Sequence, residues 1–275
     1  MKYLRMRVYL FFFFLFLSSD IIAQCFSANR VFGDGEEISY TVSYNWGPVW
    51  VDAGRVTFCA VSEQYKGKQV WHLKSTGTTF KSYELLFKVR DYYDTRIDPG
   101  TFKTYEFRRY IYEGGYTLLN TLIFDHGREM VYSSTKTNNN PVRIDTLKLT
   151  PCLFDMLTAV YYVRTLDLAN MKPDLRIPVN VLIDDSVYQI QIRAVGKEIV
   201  EHPNGMRYRC IRFVANMVKG TIFKGDEDVS VWVTDDQNKV PVYIEAKILI
   251  GSIKAYLKGT KGLLHPATSL IKKSQ

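Results

Sequence analysis

Histidine and carboxylate side chains are the groups in this sequence that could carry out acid–base chemistry. The four histidines are His72, His126, His202 and His265. None lies in an H-E-x-x-H zinc motif, and the chain lacks a G-x-S-x-G nucleophile elbow, a phosphate-binding loop and a G-x-G-x-x-G dinucleotide fingerprint. General acid–base catalysis would need a cleft that combines His72 with two carboxylates. The sequence therefore predicts no catalytic residues and favours a non-catalytic protein over an enzyme.

Metal and redox chemistry find little support in the spacing of the acidic and cysteine residues. The acidic run at residues 226–228 lacks the D-x-D-x-D-G spacing of a calcium loop. Cys25, Cys59, Cys152 and Cys210 are far apart, with no C-x-x-C pair of the kind found in zinc sites. Cys59 and Cys210 lie in strand-like segments, where they either form a disulfide across the sheet or remain small buried thiols. We predict no metal and no cofactor.

Aromatic side chains give a more specific indication of function, because they commonly line the sites of apolar ligands. The chain contains 19 Tyr and 16 Phe, and several of these crowd residues 92–116. Since side chains alternate between the two faces of a strand, Tyr92 and Tyr93 point to opposite faces. Either both faces of the sheet are covered, or some of the rings line a cavity or groove. The predicted ligand-binding residues are Tyr92, Tyr93, Tyr105, Phe107, Met156 and Leu157.

The surface properties point to the cell envelope. Trp46, Pro48 and Trp50 are predicted at the loop of the first hairpin, and tryptophans exposed at a loop tip would suit an edge that faces a membrane or a glycan. The formal net charge is +8, but the basic residues are spread thinly. We therefore predict no nucleic-acid partner, and an anionic envelope surface suits this charge better.

Most of the chain alternates with the period of two that is typical of half-buried strands. Apolar residues occupy every second position from Ile38 to Tyr44, and turn-forming pairs such as Lys66-Gly67 separate similar segments. Consecutive hairpins form an antiparallel meander, which curls to protect its edges when it is long. We predict a mainly β fold, an antiparallel meander curled into a partly open half-barrel, with one short helix packed on the concave face.

The predicted helix is the one segment that departs from this alternation. Leu153, Met156 and Leu157 recur at helical spacing, Thr150 suits the N-cap and Pro151 suits the first helical position. No internal repeat is visible, so we predict a single β-rich domain over residues 24–275. Its parts are an N-terminal β half at 30–134, an exposed connection at 135–149, the helix at 150–165 and a C-terminal β half at 176–260.

Residues 1–23 are typical of a secretory signal peptide, because a basic start precedes an apolar run at residues 8–17. That run is shorter than the roughly 20 residues that span a bilayer. Ala23 offers a small residue for cleavage, whereas Gln24 is not the small residue that a lipid-attachment signal prefers before Cys25. We predict an exported, periplasmic protein with no transmembrane segment after cleavage. The alternative is a lipoprotein anchored through Cys25.

Four groups of residues carry a family resemblance that spans nearly the whole predicted mature chain. They are residues 35–40 with 52–56 (GEEISY, DAGRV), 89–91 with 97–99 (VRD, IDP), 155–164 (DMLTAVYYVR), and 232–242 with 251–252 (WVTDDQNKVPV, GS). In this order they resemble exported proteins of the domain-of-unknown-function 3108 family, with Val56 where the opening pattern has Ala. The resemblance implies a β-rich envelope protein and brings no catalytic residue. The last group is also similar to lipoprotein carriers of the LolA and LolB type, in which a helix plugs a half-barrel.

These observations favour an exported cell-envelope protein that acts as a non-catalytic binding or carrier module. Its ligand would be apolar or derived from the envelope, such as a lipid. The alternative is a structural or assembly factor that contacts an envelope protein. A sheet edge near residues 251–259 would allow such a factor to act by strand addition.

Overall fold

The computed structural model describes residues 30–46, 49–172, 175–216, 228–247 and 251–271. Within these ranges the chain forms sixteen β-strands, one α-helix and a short 3-10 turn. No helix in this part of the chain has the length and hydrophobicity of a membrane span. The predicted signal peptide and Cys25 lie outside the described residues.

The first half of the described chain is a meander in which each strand pairs antiparallel with the next. The turns have the chemistry that the sequence indicates: Lys66 and Gly67 have φ angles of 49° and 76°, as a two-residue hairpin turn requires. The strands are β1 (Glu36–Trp46), β2 (Val49–Tyr65), β3 (Lys68–Thr79), β4 (Arg90–Ile97), β5 (Thr104–Glu113), β6 (Tyr116–Asp125), β7 (Met130–Thr137) and β8 (Arg143–Lys148).

The second half begins with a short strand and the helix and then forms another meander. Its elements are β9 (Leu153–Asp155), α1 (Met156–Thr165), β10 (Ile177–Ile183), β11 (Ser186–Glu201), β12 (Arg207–Asn216), β13 (Asp228–Thr234), β14 (Pro241–Lys247), β15 (Ser252–Lys261) and β16 (Leu270–Ile271). Strands β9 and β10 pair parallel, and β16 adds to β12.

The two meanders form one open sheet because β1 pairs with β15. The strand order runs from β8 through β1 and β15 to β9, so β8 and β9 are the free edges. Helix α1 contacts β3 and β4 of one meander and β9 and β10 of the other. The sheet therefore curls around the helix, and the predicted partly open half-barrel with a helix on its concave face is confirmed. The predicted edge near residues 251–259 is wrong, because β15 lies between β1 and β14.

Two segments differ from their predicted structure. The helix begins at Met156, not at residue 150, because Cys152 has a φ of 61° and residues 153–155 pair with β10. Asp155, and not Thr150, provides the N-cap. The predicted exposed connection at 135–149 contains the edge strand β8, whose Leu147 packs against the core.

Candidate functional site

The start of helix α1 is fixed by a fully buried carboxylate. Asp155 Oδ1 accepts hydrogen bonds from the backbone amides of Leu157 (2.9 Å) and Thr158 (3.0 Å). Its Oδ2 accepts from the hydroxyls of Thr104 (2.7 Å) and Thr95 (3.0 Å), and from that of Thr158. Burial raises the pKa of Asp155, and these hydrogen bonds oppose the rise. The cap therefore ties the helix start to β4 and β5.

The end of the helix is fixed by a buried ion pair. Arg164 Nη1 and Nη2 donate to Glu36 Oε1 and Oε2 at 2.7 Å and 3.0 Å. Nη2 also donates to the carbonyl oxygens of Val31 (3.3 Å) and Asn238 (3.0 Å). Burial disfavours the charged guanidinium, but the Glu36 carboxylate outweighs burial and raises the pKa of Arg164. This contact joins the helix end to β1 and to the β13–β14 turn.

The concave face next to α1 is filled by aromatic rings. Phe32 makes edge-to-face contacts with Trp71, Phe102 and Tyr161, with ring centres 5.3, 6.1 and 4.9 Å apart. Each of these four residues is buried. We term this region, defined by Phe32, Trp71, Phe102 and Tyr161, the packed half of the concave face. It has the dense packing of a protein core.

Further from α1, the same concave face becomes partly exposed. Near the helix, a row of cross-strand neighbours is at most 1% exposed; it consists of Ala60, Leu73, Thr95 and Phe107. Two residues further along β2 and β4, toward the β1–β2 turn, Phe58 and Tyr93 are partly exposed. Several apolar residues on strands β11 to β14 that pack against the core are also only partly buried. We term this surface the open half; its residues are Phe58, Tyr93, Ile190, Ala215, Val229 and Ile244.

Two ion pairs form a bridge from the first meander to the β10–β11 turn of the second. Arg109 on β5 pairs with Asp184, and Arg143 on β8 pairs with Asp185. The two aspartates form the β10–β11 turn with φ angles of 48° and 60°, a conformation that Asp tolerates. A cleft of 390 Å³ lies beside this bridge. Besides Arg143 and both aspartates, it is lined by Leu118, Thr135, Thr137, Asn140 and Pro141.

Four of the six predicted ligand-binding residues come together on the concave face. The rings of Tyr93 and Phe107 have centres 6.4 Å apart. Met156 and Leu157 of α1 belong to the same core cluster. Phe107 and Leu157 are buried, whereas Tyr93 and Met156 are partly exposed.

The other two predicted residues lie elsewhere. Tyr92 is 47% exposed on the convex face, as alternation with Tyr93 requires, and its ring centre is 6.3 Å from that of Tyr110. The hydroxyl of Tyr105 donates to Asp98 Oδ2 at 3.1 Å, so this residue is engaged in the β4–β5 turn. The structure does not bring Tyr92 or Tyr105 together with the concave set.

His72 lies between two carboxylates, as acid–base catalysis would require. Its Nδ1 is 2.9 Å from Glu63 Oε2, and its Nε2 is 3.2 Å from Asp94 Oδ1. Arg96 also donates to both carboxylates, at 2.7 Å and 3.2 Å. Burial alone would raise the pKa of Glu63, but the hydrogen bonds from Arg96 and His72 hold it below its usual value.

The cluster around His72 has the features of a structural network of ion pairs and hydrogen bonds between neighbouring strands. His72 is next to the core residue Leu73, so it faces the convex side of β3. Both carboxylates accept hydrogen bonds from Arg96 as well as facing His72, so each is engaged in contacts that join neighbouring strands. Among the described residues, no group of three or more His, Cys, Asp or Glu is arranged to hold a metal ion.

Asp91 carries a carboxyl group whose pKa rises into the neutral range. Burial and, to a smaller extent, the nearby Glu113 carboxylate together raise the pKa of Asp91 to about 7. The amide of Tyr112, which donates to Asp91 Oδ1 at 3.3 Å, acts in the opposite direction. Asp91 therefore binds a proton more tightly in the folded chain than in the unfolded chain.

We expect Asp91→Asn to stabilise the protein at alkaline pH. Between about pH 4 and pH 7 the folded state holds a proton that the unfolded state has lost, so this group's contribution to stability falls as pH rises. Because Asp91 is partly exposed, the expected gain in free energy of unfolding at about pH 8 is only about 1 kcal/mol. Urea unfolding at a series of pH values measures it.

Asp94→Asn is the control, because it should change the stability in the opposite direction. Burial would raise the pKa of Asp94, but the His72 hydrogen bond and nearby cations hold it below its usual value. This group stabilises the fold above its unfolded pKa, and the contribution is lost in acid. Asp94→Asn should therefore destabilise the protein at neutral pH. Equal effects of the two substitutions at every pH would contradict both assignments.

The cysteines differ in their bonding. Cys59 and Cys210 are free thiols, whereas Cys152 is disulfide-bonded. Burial raises the pKa of the Cys210 thiol to about 12, so this residue is an unreactive part of the core. Of the two alternatives for Cys59 and Cys210, the structure shows free thiols.

The fold belongs to a recognisable class, the open antiparallel sheet with barrel-like curvature. A β-barrel-like protein of domain of unknown function DUF1849 from Brucella abortus shares it, with a TM-score of 0.54 and 9% identity over 84% of this chain and 99% of that chain. That likeness shows the fold alone. A proposed lipoprotein from Parabacteroides distasonis aligns with a TM-score of only 0.32, at 11% identity, over 86% of this chain and 98% of that chain.

The family is shown by the sequence. This chain belongs to the family described as "Protein of unknown function (DUF3108)", which matches residues 39–258. The resemblance drawn from the ordered motifs is therefore confirmed. No curated protein matches the chain.

The motif residues of the helix turn out to be its anchors. Asp155 and Thr158 form the cap, Tyr161 fills the packed half, and Arg164 forms the buried ion pair. Sequence reasoning did not find the bridge residues. Arg109 and Asp184 are 75 positions apart, and no local pattern links the two.

Proposed function

We propose that this protein is a non-catalytic binding or carrier module of the cell envelope that holds an apolar ligand against the open half of its concave face. The observation that carries the proposal is the change, along one continuous concave face, from fully buried to partly exposed apolar side chains. A preformed concave surface of this kind is the usual setting of a small-molecule site.

The surroundings of the open half favour a ligand with a polar head group. Arg109 is the cross-strand neighbour of Tyr93 and is 6% exposed. Its Nε has no hydrogen-bond partner among the described residues. An unmet buried donor is costly, and a carboxylate or phosphate oxygen would satisfy it. An acyl chain with an anionic head group therefore fits both the apolar surface and this donor.

Export to an oxidising compartment is part of the proposal. The disulfide at Cys152 supports it, because disulfides persist mainly outside the cytosol. The signal-peptide pattern of residues 1–23 agrees with it. Periplasmic release is favoured over a lipid anchor at Cys25, and the mass of the N-terminal peptide of the purified protein distinguishes the two.

The experiment compares two glutamate substitutions on opposite faces of the sheet. Ile244→Glu places a charge on the open half, and Leu119→Glu places one on the convex face, where Leu119 is 50% exposed. Binding of the neutral dye 1-N-phenylnaphthylamine is followed by fluorescence. We expect the Ile244 variant to bind the dye about tenfold more weakly, because a desolvated charge is costly. The Leu119 variant should bind as the unmodified protein does.

Native mass spectrometry of protein purified from cells under mild conditions completes the test. A co-purifying small molecule that is lost from the Ile244 variant supports the proposal. Unchanged dye affinity in a folded Ile244 variant would refute it. Recovery of a protein partner without any small molecule would instead favour an assembly factor, for which β8, with Ile144 66% exposed, offers the free edge.

A further inference from the structure

The connection between β3 and β4 exposes an unusual amount of apolar surface. Leu85, Leu86 and Phe87 are consecutive and are 96%, 64% and 53% exposed. Such contiguous exposure is costly in water and usually marks an interaction surface. We term residues 80–89 the apolar loop.

The apolar loop has a defined shape. A 3-10 turn at Lys81–Tyr83 starts it, and the amides of Leu86 and Phe87 both donate to the carbonyl oxygen of Tyr83 at 3.0 Å. The ring of Phe87 lies against Gly114, where an added Cβ would be only 2.5 Å from it. These contacts define the loop's conformation, in which Leu85 and Leu86 project outward and Phe87 stays about half exposed.

A second apolar segment projects from the same end of the sheet. The amide of Phe80 donates to the carbonyl oxygen of Ala53 at 2.9 Å, so the apolar loop starts beside β2. Val49 and Trp50, at the beginning of β2, are 57% and 40% exposed. The β1–β2 hairpin and the apolar loop therefore lie at the same end of the sheet, and we term their exposed apolar residues the apolar rim.

Exposed lysines lie in the apolar loop of this rim. Lys81 and Lys88 are exposed, and no described acidic side chain pairs with either. Glu84, the acidic residue of the loop, is neutralised by Arg90. The ammonium of Lys254 lies 4.2 Å from the centre of the Trp50 ring and also pairs with Glu245 at 3.8 Å. Apolar side chains flanked by exposed lysines such as Lys81 and Lys88 suit a surface that is itself apolar inside and anionic outside.

We propose that the rim formed by Val49, Trp50, Leu85, Leu86 and Phe87 docks on an anionic phospholipid bilayer. The apolar side chains enter the acyl boundary, and the lysines contact the phosphate groups. This inference concerns a different surface from the open half and does not depend on ligand binding there.

The test is sedimentation of the full chain, in the form that cells produce, with two kinds of vesicle. One is pure phosphatidylcholine, and the other contains about 30% phosphatidylglycerol. We expect stronger binding to the anionic vesicles and a loss of this preference at high salt. A Leu85→Glu/Leu86→Glu variant should bind about tenfold more weakly, because both residues would place charge in the acyl boundary.

Matched variants at the opposite end of the sheet serve as controls. Ile199→Glu changes an apolar residue that is 53% exposed on β11, and Lys103→Gln removes an exposed cation from the β4–β5 turn. Both should bind as the unmodified chain does, whereas Lys81→Gln/Lys88→Gln should lose the preference for anionic vesicles. Equal binding by the Leu85/Leu86 variant and the unmodified chain, with both folded by circular dichroism, would overturn the proposal. Absence of binding by the unmodified chain would overturn it too.

Discussion

Arg164→Met is expected to cost about 3–5 kcal/mol of unfolding free energy, because it leaves a buried carboxylate without its partner. Glu36 is 1% exposed and receives two hydrogen bonds from the guanidinium. The same change removes the donors to the carbonyl oxygens of Val31 and Asn238. Chemical denaturation followed by circular dichroism measures the loss, which is a large fraction of a typical domain's stability.

Two further variants distinguish the cost of the unpaired buried carboxylate from the cost of losing an arginine side chain. Adding Glu36→Gln to Arg164→Met removes the uncompensated charge, so the double variant should recover part of the loss. Arg128→Met is the exposed control, because its side chain is 77% exposed and lies 3.9 Å from Asp125. It should cost less than about 0.5 kcal/mol. A similarly small cost at Arg164 would show that the helix end is not anchored by this pair.

Leu157→Ala should cost about 2–5 kcal/mol, as expected for a leucine truncated inside a packed core. Leu157 is 4% exposed and belongs to the core cluster that joins α1 to both meanders. The folded variant should bind 1-N-phenylnaphthylamine as the unmodified protein does, because the open half lies away from this side chain. Thermal unfolding and dye titration on the same samples provide both measurements.

Val160→Ala is the matched control on the same helix. Val160 is 45% exposed, so its truncation should cost less than about 1 kcal/mol. If Leu157→Ala were equally mild and increased dye uptake, α1 would be a movable gate over a cavity and not a fixed plug. The anchors at Asp155 and Arg164 lead us to expect the plug.

The sequence by itself determined the β meander, the half-barrel and the family. Alternation from Ile38 to Tyr44 and turn pairs such as Lys66-Gly67 are local signals, since side-chain direction and turn conformation depend on neighbouring residues. Short connections place consecutive strands side by side. The concave helix was predicted from the single change in hydrophobic periodicity near Met156. The ordered motifs indicated the family, and the family model matches residues 39–258.

The tertiary structure alone decided the boundaries of the helix and which residues the proposed site could include. The start of α1 depends on Asp155, whose hydroxyl donors Thr104 and Thr95 are 51 and 60 positions away. The pairing of β1 with β15 buried the expected sheet edge, and the bridge from Arg109 to Asp184 spans 75 positions. Such contacts depend on how the whole sheet curls, whereas hydrophobic periodicity and turn composition report only on residues that are close in sequence. Alternation places Tyr93 and Phe107 on the concave face, but only the curled sheet around α1 leaves Tyr93 partly open and Phe107 buried.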